Sequence, residues 1–403
     1  MTSGNPMLPY GRQIIEDDDI DAVARVLRGD YLTTGPATEA FEMAFAAKTA
    51  AKYALTCSSG TAALHLAAMA LGLGPGDRVI VPTITFLATA NAARYVGAEV
   101  TFSDVDPDSG LMRPQDLEEA LTRAGARAKA VFPVHLAGQP ADMRALSSMA
   151  RAHGLGVVED ACHALGTRWT AGNETVIAGD ARFSDMAVFS FHPVKTIAMG
   201  EGGAITTNNS DLARRIGDLR NHGMVRRAED FQNDELAYQT DGSANPWYYE
   251  MPEPGFNYRS SDIHCALGLS QLGKLDRFVD ARRNLVAAYD TRLQSLYPTV
   301  CPLGRVAGAM PGWHLYVVLI DFVARDLDRA EVIRRLAANG IGTQVHYIPV
   351  HTQPYYRRRY ETPVLPGATA YYAKCLSLPL HPNMDDGDVE RVCDALQQAL
   401  NLA

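Results

Sequence analysis

Short apolar runs alternate with helix-patterned segments through the first half of the chain. Arg78-Val-Ile-Val81, Ala98 to Asp104, Ala130-Val-Phe-Pro-Val-His135 and Gly156-Val-Val-Glu-Asp160 are of strand length, while Pro114 to Thr122 and Ala141 to His153 repeat their apolar positions as helices do. Ala187 to Phe191 and Ala204-Ile-Thr-Thr207 predict two more strands. Continuous apolar strands separated by helices imply a mostly parallel sheet covered on both faces, an α/β fold.

Upstream, Glu16-Asp-Asp-Asp19 ahead of Ile20, Val23 and Leu27 predicts an opening helix ended by Gly29, its acids facing the positive end of the helix dipole. A second helix is expected from Ala37 to Ala47, and Ser58-Ser-Gly-Thr61 turns into a third across Ala62 to Met69. The pattern breaks from Val225 to Gly255, which reads as an ordered excursion or lid because Trp247-Tyr-Tyr249 would want cover. A long helical stretch from about Ser261 to Leu296 is interrupted near Lys274 to Asp276. Strand Leu315 to Asp321, helix Asp328 to Ala338 and strand Thr343 to His346 have the order of a small α+β domain. The expected division is therefore 1–260 and 261–403.

Length and composition narrow the classes. A chain of 403 residues fits a large domain plus a smaller one, and 47% hydrophobic with 21% charged residues is ordinary for a globular enzyme. No apolar run reaches the roughly 18 residues that span a bilayer, so no membrane role is expected. Met1 to Pro6 carry no charged and apolar leader pattern, which makes the cytoplasm the expected location. The net charge of −9 is spread out, so nucleic acid is not an expected partner; Arg357-Arg-Arg359 reads as a solvated turn or a phosphate contact. Six scattered cysteines without a C-x-x-C pair argue against a metal site or disulfide framework.

The candidate chemistry centres on Val188-Phe-Ser-Phe-His-Pro-Val-Lys195. Of six lysines, Lys195 alone joins an apolar strand to turn glycines, here Gly200 to Gly203; Lys274, by contrast, reads as part of a mostly solvated helix. Desolvation lowers a lysine's pKa and makes its amine nucleophilic, which suits an amine that bonds a cofactor aldehyde. Such a cofactor also needs an acid, an anion hole and a flat surface. Asp160, at the end of an apolar strand, can hold a ring nitrogen protonated or cap a helix from Ala161. Gly60 and Thr61 open a helix whose free N–H groups suit a phosphate. Phe86 can stack on a ring or fill core.

These parts resemble, in kind and in chain order, the fold-type-I pyridoxal-phosphate enzymes, specifically the nucleotide-sugar aminotransferases of the DegT/DnrJ/EryC/StrS family. The resemblance covers essentially the whole chain. It rests on Pro9-Tyr-Gly-Arg-Gln13, Ser59-Gly-Thr-Ala-Ala-Leu-His-Leu66, Glu159-Asp-Ala-Cys-His-Ala-Leu-Gly166, Phe189 to Thr196, Gly255-Phe-Asn-Tyr-Arg259, Ala266 to Leu272 and Val345-His-Tyr-Ile-Pro-Val-His351 with Gln353-Pro-Tyr-Tyr356. The stretch from Val345 and the His-Pro-Val-Lys form favour the branch serving pseudaminic acid synthesis. Cys57-Ser58 and Ile197-Ala-Met199 depart from the usual family residues around the expected ligand.

The resemblance implies Lys195 as the Schiff-base lysine and Asp160 as partner of the pyridine nitrogen of pyridoxal 5'-phosphate. It places His163 beside the ring, Phe86 stacked on it, and Gly60, Thr61 and Ser190 at the phosphate. Asn257 would reach a phosphate in the neighbouring subunit and Arg259 a donor carboxylate, which makes a homodimer with shared active sites part of the expectation. His346 and Tyr347 would line the sugar pocket, although strand-end packing is the alternative for Tyr347. The implied reaction moves an amino group from glutamate to C4 of a UDP-linked 4-keto-6-deoxy-N-acetylhexosamine. A dTDP- or GDP-linked sugar is the alternative, and a noncatalytic cofactor-binding regulator is a further one. Family dehydratases replace the lysine, so Lys195 argues against that reaction.

Overall fold

In the computed structural model, which describes residues 6–402, the apolar runs become β1 (Tyr53–Cys57), β2 (Arg78–Pro82), β3 (Glu99–Ser103), β4 (Ala128–Val131) and β5 (Gly156–Asp160). A hairpin of β6 (Arg168–Ala171) and β7 (Glu174–Ile177) precedes β8 (Met186–Ser190) and β9 (Gly203–Thr207). Seven of these strands form one sheet in the order β1-β9-β8-β5-β4-β2-β3. All run parallel except β9, which is antiparallel to both its neighbours. This is the fold-type-I α/β arrangement that the resemblance implied. Parallel neighbours require crossovers, and the helices that supply them cover the sheet.

Those helices are α1 (Asp17–Leu27), α2 (Pro36–Thr49), α3 (Gly60–Ala70), α4 (Leu87–Tyr95), α5 (Pro114–Ala124), α6 (Met143–Ala152) and α7 (Ser210–Leu219). Apolar nearly all round, α3 is buried along almost its whole length against the sheet. Strand alternation explains how β8 serves two purposes. Phe189 and, just past the strand, Phe191 turn toward α2 and meet Phe41 and Phe45 edge-on, with ring centres 5.1–5.5 Å apart. Ser190, between them, faces the other side. The expected strand 130–135 is shorter than its apolar run: Pro133 has no N–H to give the ladder, so β4 ends at Val131 and contact resumes only as a bridge between Val134 and Asp160.

Residues 225–255 are held by local bonds. The Glu250 carboxylate accepts the N–H groups of Gln232 and Asn233 and the Tyr248 hydroxyl, and α8 (Asp234–Ala237) forms a single turn. Tyr248 packs edge-on against Phe231, but Trp247 remains 73% exposed, so this chain alone does not supply the cover expected for it. The long helix breaks at the expected place, into α9 (Asp262–Gly273) and α10 (Leu275–Arg292) about Lys274. The expectation that Lys274 is solvated is corrected: its ammonium lies against Glu16 and Asp19 (3.0 and 2.9 Å) as well as Asp18, with the side chain only 10% exposed. The acids of α1 that suit its dipole also neutralise this lysine.

A second sheet joins β10 (Val300–Pro302), β12 (Tyr316–Ile320) and β13 (Cys375–Leu378), while β11 (Ala309–Met310) extends the β6–β7 hairpin. With α11 (Arg329–Ala338), α12 (Pro354–Arg359), α13 (Pro366–Lys374) and α14 (Asp386–Ala399) this completes the chain. A separate apolar core joins α10 from Leu285, α11, α14 and one face of β12 and β13 with Leu8, whereas Leu315, Val317 and Leu319 on the other face, together with α9 and the start of α10, pack into the cores of the large sheet. Residues 343–346 do not form the expected strand. Gln344 makes a lone bridge to Ser377, after which the chain turns so that His346 and Tyr347 reach a cavity.

Arg282 is fully buried and donates to the backbone oxygens of His314 (3.3 Å) and Leu380 (2.9 Å), tying α10 to two chain crossings. Truncation would leave both carbonyls unpaired beside a void. Arg282→Ala is expected to cost about 2–4 kcal/mol, read as a lowered Tm with unchanged secondary structure by circular dichroism.

Candidate active site

Ends of parallel strands leave a crevice where crossovers depart in opposite directions, and ligands of open α/β sheets bind there. The ends of β2, β5 and β8 open into a cavity of about 560 Å³ whose floor carries Asp160 and Lys195. Its size suits a small organic ligand. Ser59 caps α3 by accepting the Ala62 N–H (3.1 Å), which leaves the N–H groups of the first turn, at Gly60 and Thr61, directed at the cavity beside Ser190.

The approach at Gly60 is close. A Cβ there would stand 2.8 Å from that of Ser190 and 3.3 Å from the Cys162 sulfur. Gly60→Ala is therefore expected to keep the fold and to displace Ser190 at the anion-binding turn. Cofactor affinity should fall by about 100-fold, given an overpacking cost of roughly 3 kcal/mol, in an absorbance titration.

Asp160 is buried and does not cap a helix, since residues 161–166 form turns. One carboxylate oxygen accepts the Thr89 hydroxyl (2.7 Å) and the other the Cys162 N–H (3.2 Å). The Thr89 oxygen is bonded in turn to that of Thr85 (2.7 Å). Lys195 is half-buried; burial pushes its pKa down, opposed by the nearby Cys162 and Asp160. That is the condition for a neutral amine at a mild pH.

His163 is buried and accepts the Ala137 N–H at Nδ1 (3.3 Å). A neutral ring then carries its proton on Nε2, which donates to the Tyr347 oxygen (3.0 Å). Burial, assisted by the Lys195 charge, holds its pKa well below the usual histidine range. Phe86 stands at the mouth, 55% exposed, with its ring 6.1 Å from that of Tyr347. Tyr347 lines the cavity, as does His346, whose Nδ1 meets the Ser377 hydroxyl at 2.7 Å.

Two expected residues do not line this cavity. Asn257 is exposed and bridged to Asn221, and Arg259 donates to the Asn221 side-chain oxygen. Between them the Tyr258 carbonyl accepts the Ser58 N–H (2.8 Å), so the segment braces the α3 turn from outside.

Residues 13–397 match the DegT/DnrJ/EryC1/StrS aminotransferase family. The spore coat polysaccharide biosynthesis protein SpsC of Bacillus subtilis (strain 168) is 39% identical over 396 residues, 98% of this chain and 97% of that protein. The chain belongs to this aminotransferase family. Among solved structures, Helicobacter pylori PseC, an aminotransferase of pseudaminic acid biosynthesis, superposes with a TM-score of 0.86 at 28% identity, covering 98% of this chain and 99% of that one. The PLP form of Streptococcus pneumoniae Spr1654, described as a putative sugar aminotransferase, gives 0.84 at 26% identity over 98% and 99%.

This aminotransferase uses pyridoxal 5'-phosphate (PLP), and the residues present fit it: an amine of lowered pKa, a buried acid across the floor, and a helix start that only a glycine leaves open. Thr89, Cys162, Tyr10, Gln353 and His314, none with a role predicted from sequence, also line the cavity. Thr85 and Thr89 are one helical turn apart, a spacing that carries a signal only once Asp160 is known to lie beneath them. His314 sits alone before an apolar strand and reads as core.

The cavity histidines give this aminotransferase a predictable acid response. Burial, with the Lys195 charge, pushes His346 down to about 3 from its ordinary 6.5. As pH falls from 6.5 toward 3 the unfolded ring takes up a proton that the folded ring refuses, so stability is complete above 6.5 and declines through that window. Tm should fall accordingly, and His346→Asn should flatten the decline by up to about one proton.

Proposed function

We propose that this aminotransferase moves the amino group of glutamate to C4 of a UDP-linked 4-keto-6-deoxy-N-acetylhexosamine. On this reading it is a UDP-4-amino-4,6-dideoxy-N-acetyl-β-L-altrosamine transaminase of pseudaminic acid synthesis. The observation that carries the reaction class is a half-buried amine, Lys195, sharing a cavity floor with the buried carboxylate of Asp160. The likeness to PseC along nearly the whole chain supports the branch.

When bound, PLP supplies an aldehyde carbon that bonds amines and a ring that takes up electron density. Lys195 is the residue that bonds it at rest. Displaced by the incoming amine, the neutral Nζ would take the Cα proton of glutamate and pass it to the cofactor carbon that keeps the nitrogen; in the second half it would move a proton the opposite way, from that carbon to sugar C4. Asp160, its charge supported by Thr89 and the Cys162 N–H, keeps the ring nitrogen protonated. His163 would sit beside the ring and Phe86 stack on it, and Gly60, Thr61 and Ser190 would hold the phosphate. His346 and Tyr347 shape the sugar side.

Asn257 and Arg259, which do not line their own cavity, would serve that of a second copy in a homodimer, Asn257 at the phosphate and Arg259 at the donor carboxylate. Residues 1–260 form the cofactor-binding part and 261–403 the smaller part, a division supported by the separate core of α10, α11 and α14, although α9 and one face of β12 pack back on the first.

A second reading keeps the chemistry and changes the sugar. SpsC, with the higher identity, is named for spore coat polysaccharide and not for pseudaminic acid, and the alternative acceptor is a keto sugar carried on dTDP or GDP. Incubation with glutamate and a panel of UDP-, dTDP- and GDP-linked 4-keto-6-deoxy sugars, followed by mass, decides between them. Amination of only dTDP or GDP sugars replaces the first reading, and no amination of any sugar removes both. A noncatalytic regulator would bind PLP yet fail to convert it when glutamate is added.

A further inference from the structure

We propose that His314 is a substrate-binding residue of this cavity, donating a hydrogen bond to the oxygen carried on the carbon next to the reacting one. Its placement is unusually fixed. The His314 N–H donates to the Ala137 carbonyl (3.0 Å), and its own carbonyl accepts from the buried Arg282. Around it the backbone is pressed onto the large sheet's loops: a Cβ on Gly312 would stand 2.3 Å from the Leu165 oxygen, and one on Gly138 3.2 Å from the Trp313 backbone. Side chains built into such close contacts keep their orientation.

The ring itself is half accounted for. Its centre lies 4.5 Å from that of His163, and its Nδ1 is buried with no hydrogen-bond partner. The residue lines the cavity, so Nε2 is the nitrogen that meets it. A buried N–H without an acceptor is rarer and costlier than an idle lone pair, so the proton belongs on Nε2. Burial, with the charges of Lys195 and its neighbours, keeps the ring neutral. The cavity thus receives one fixed, uncharged N–H donor that no other protein group uses.

Both substrates occupy this cavity in turn, bonded through the same cofactor atom. In glutamate the carbon next to the reacting Cα is the α-carboxylate carbon with its two oxygens; in a 4-keto sugar the carbon next to C4 carries a hydroxyl. Either oxygen meets the same donor. The sugar half of this inference rests on the amination reading above, and the glutamate half does not.

The test uses the PLP-loaded enzyme with His314→Phe, which keeps the ring shape without nitrogen, and His314→Gln, which restores an N–H. Cofactor affinity and Tm, measured first, are expected to match the wild type. In single turnovers with glutamate alone, followed by the cofactor's absorbance, His314→Phe should need about 10–100-fold more glutamate for half-saturation, the loss of a hydrogen bond to a charged group, and His314→Gln should recover most of it. The aminated enzyme with keto sugar forms the second arm. An effect in the first arm alone assigns the carboxylate, in the second alone the hydroxyl, and in both the shared position. Half-saturation within about twofold of wild type in both arms, or a glutamine variant as impaired as the phenylalanine one, overturns the proposal. Should His314→Phe not fold, His314→Leu takes its place under the same criteria. A wild-type enzyme that aminates no sugar defeats the amination reading and leaves the glutamate arm intact.

Discussion

Lys195→Ala is expected to lower amine formation by at least about 10⁴-fold, the upper end of what one positioned acid–base group contributes, because the residue serves as both cofactor anchor and proton carrier. PLP should still bind, through the α3 turn and Asp160, with the spectrum of a free aldehyde in place of a lysine adduct. Borohydride treatment and peptide mass mapping provide the independent readout: the wild type is fixed on the peptide containing residue 195 and the variant nowhere. Lys195→Arg should fare no better, since a guanidinium stays protonated and cannot form the bond. An alanine variant with normal turnover would remove the central assignment.

The second large effect is expected at Asp160. Asp160→Asn preserves shape and loses the charge that keeps a ring nitrogen protonated, so kcat should fall by about 10²–10⁴-fold, as for other groups that stabilise developing charge. Because the carboxylate is buried and bonded by Thr89 and the Cys162 N–H, its amide replacement must turn one NH₂ edge toward a donor. PLP affinity should drop as well. Thr89→Val isolates the support from the charge: it removes one donor from a buried carboxylate and should cost about 10-fold, consistent with a hydrogen bond to a charged group. The cofactor absorbance titrated against pH compares the variants, and Asp160→Asn should shift it further than Thr89→Val, since the first removes the charge and the second only one of its donors. Full activity in Asp160→Asn would show that the ring needs no acid here.

Much of the fold was legible because periodicity survives in parallel sheets. The apolar runs at 78–81, 156–160 and 204–207 became strands, and the helix break near Lys274 fell where the pattern weakened. What escaped depended on partners distant in sequence. Lys274 reads as solvated until α1 brings three acids to it, and the run from Ala130 to His135 reads as one strand because Pro133 is apolar as well as unable to donate. In the site, Lys195, Asp160 and the Ser59-Gly60-Thr61 turn were readable from local chemistry. Asn257 and Arg259 owed their expected roles to resemblance alone, and a single chain does not bring them to its own cavity. Thr89 and His314 act through contacts that no nearby motif announces.

The floor and one wall of the cavity are tied to different sheets. Lys195 and Asp160 stand at the strand ends of the large sheet, whereas Gln344 is bridged to Ser377 of β13 in the smaller sheet, and Val345 and Tyr347 then pack back against the large sheet's core. A change on the β13 side can therefore reshape that wall while the amine and the acid keep their places at the strand ends of the other sheet.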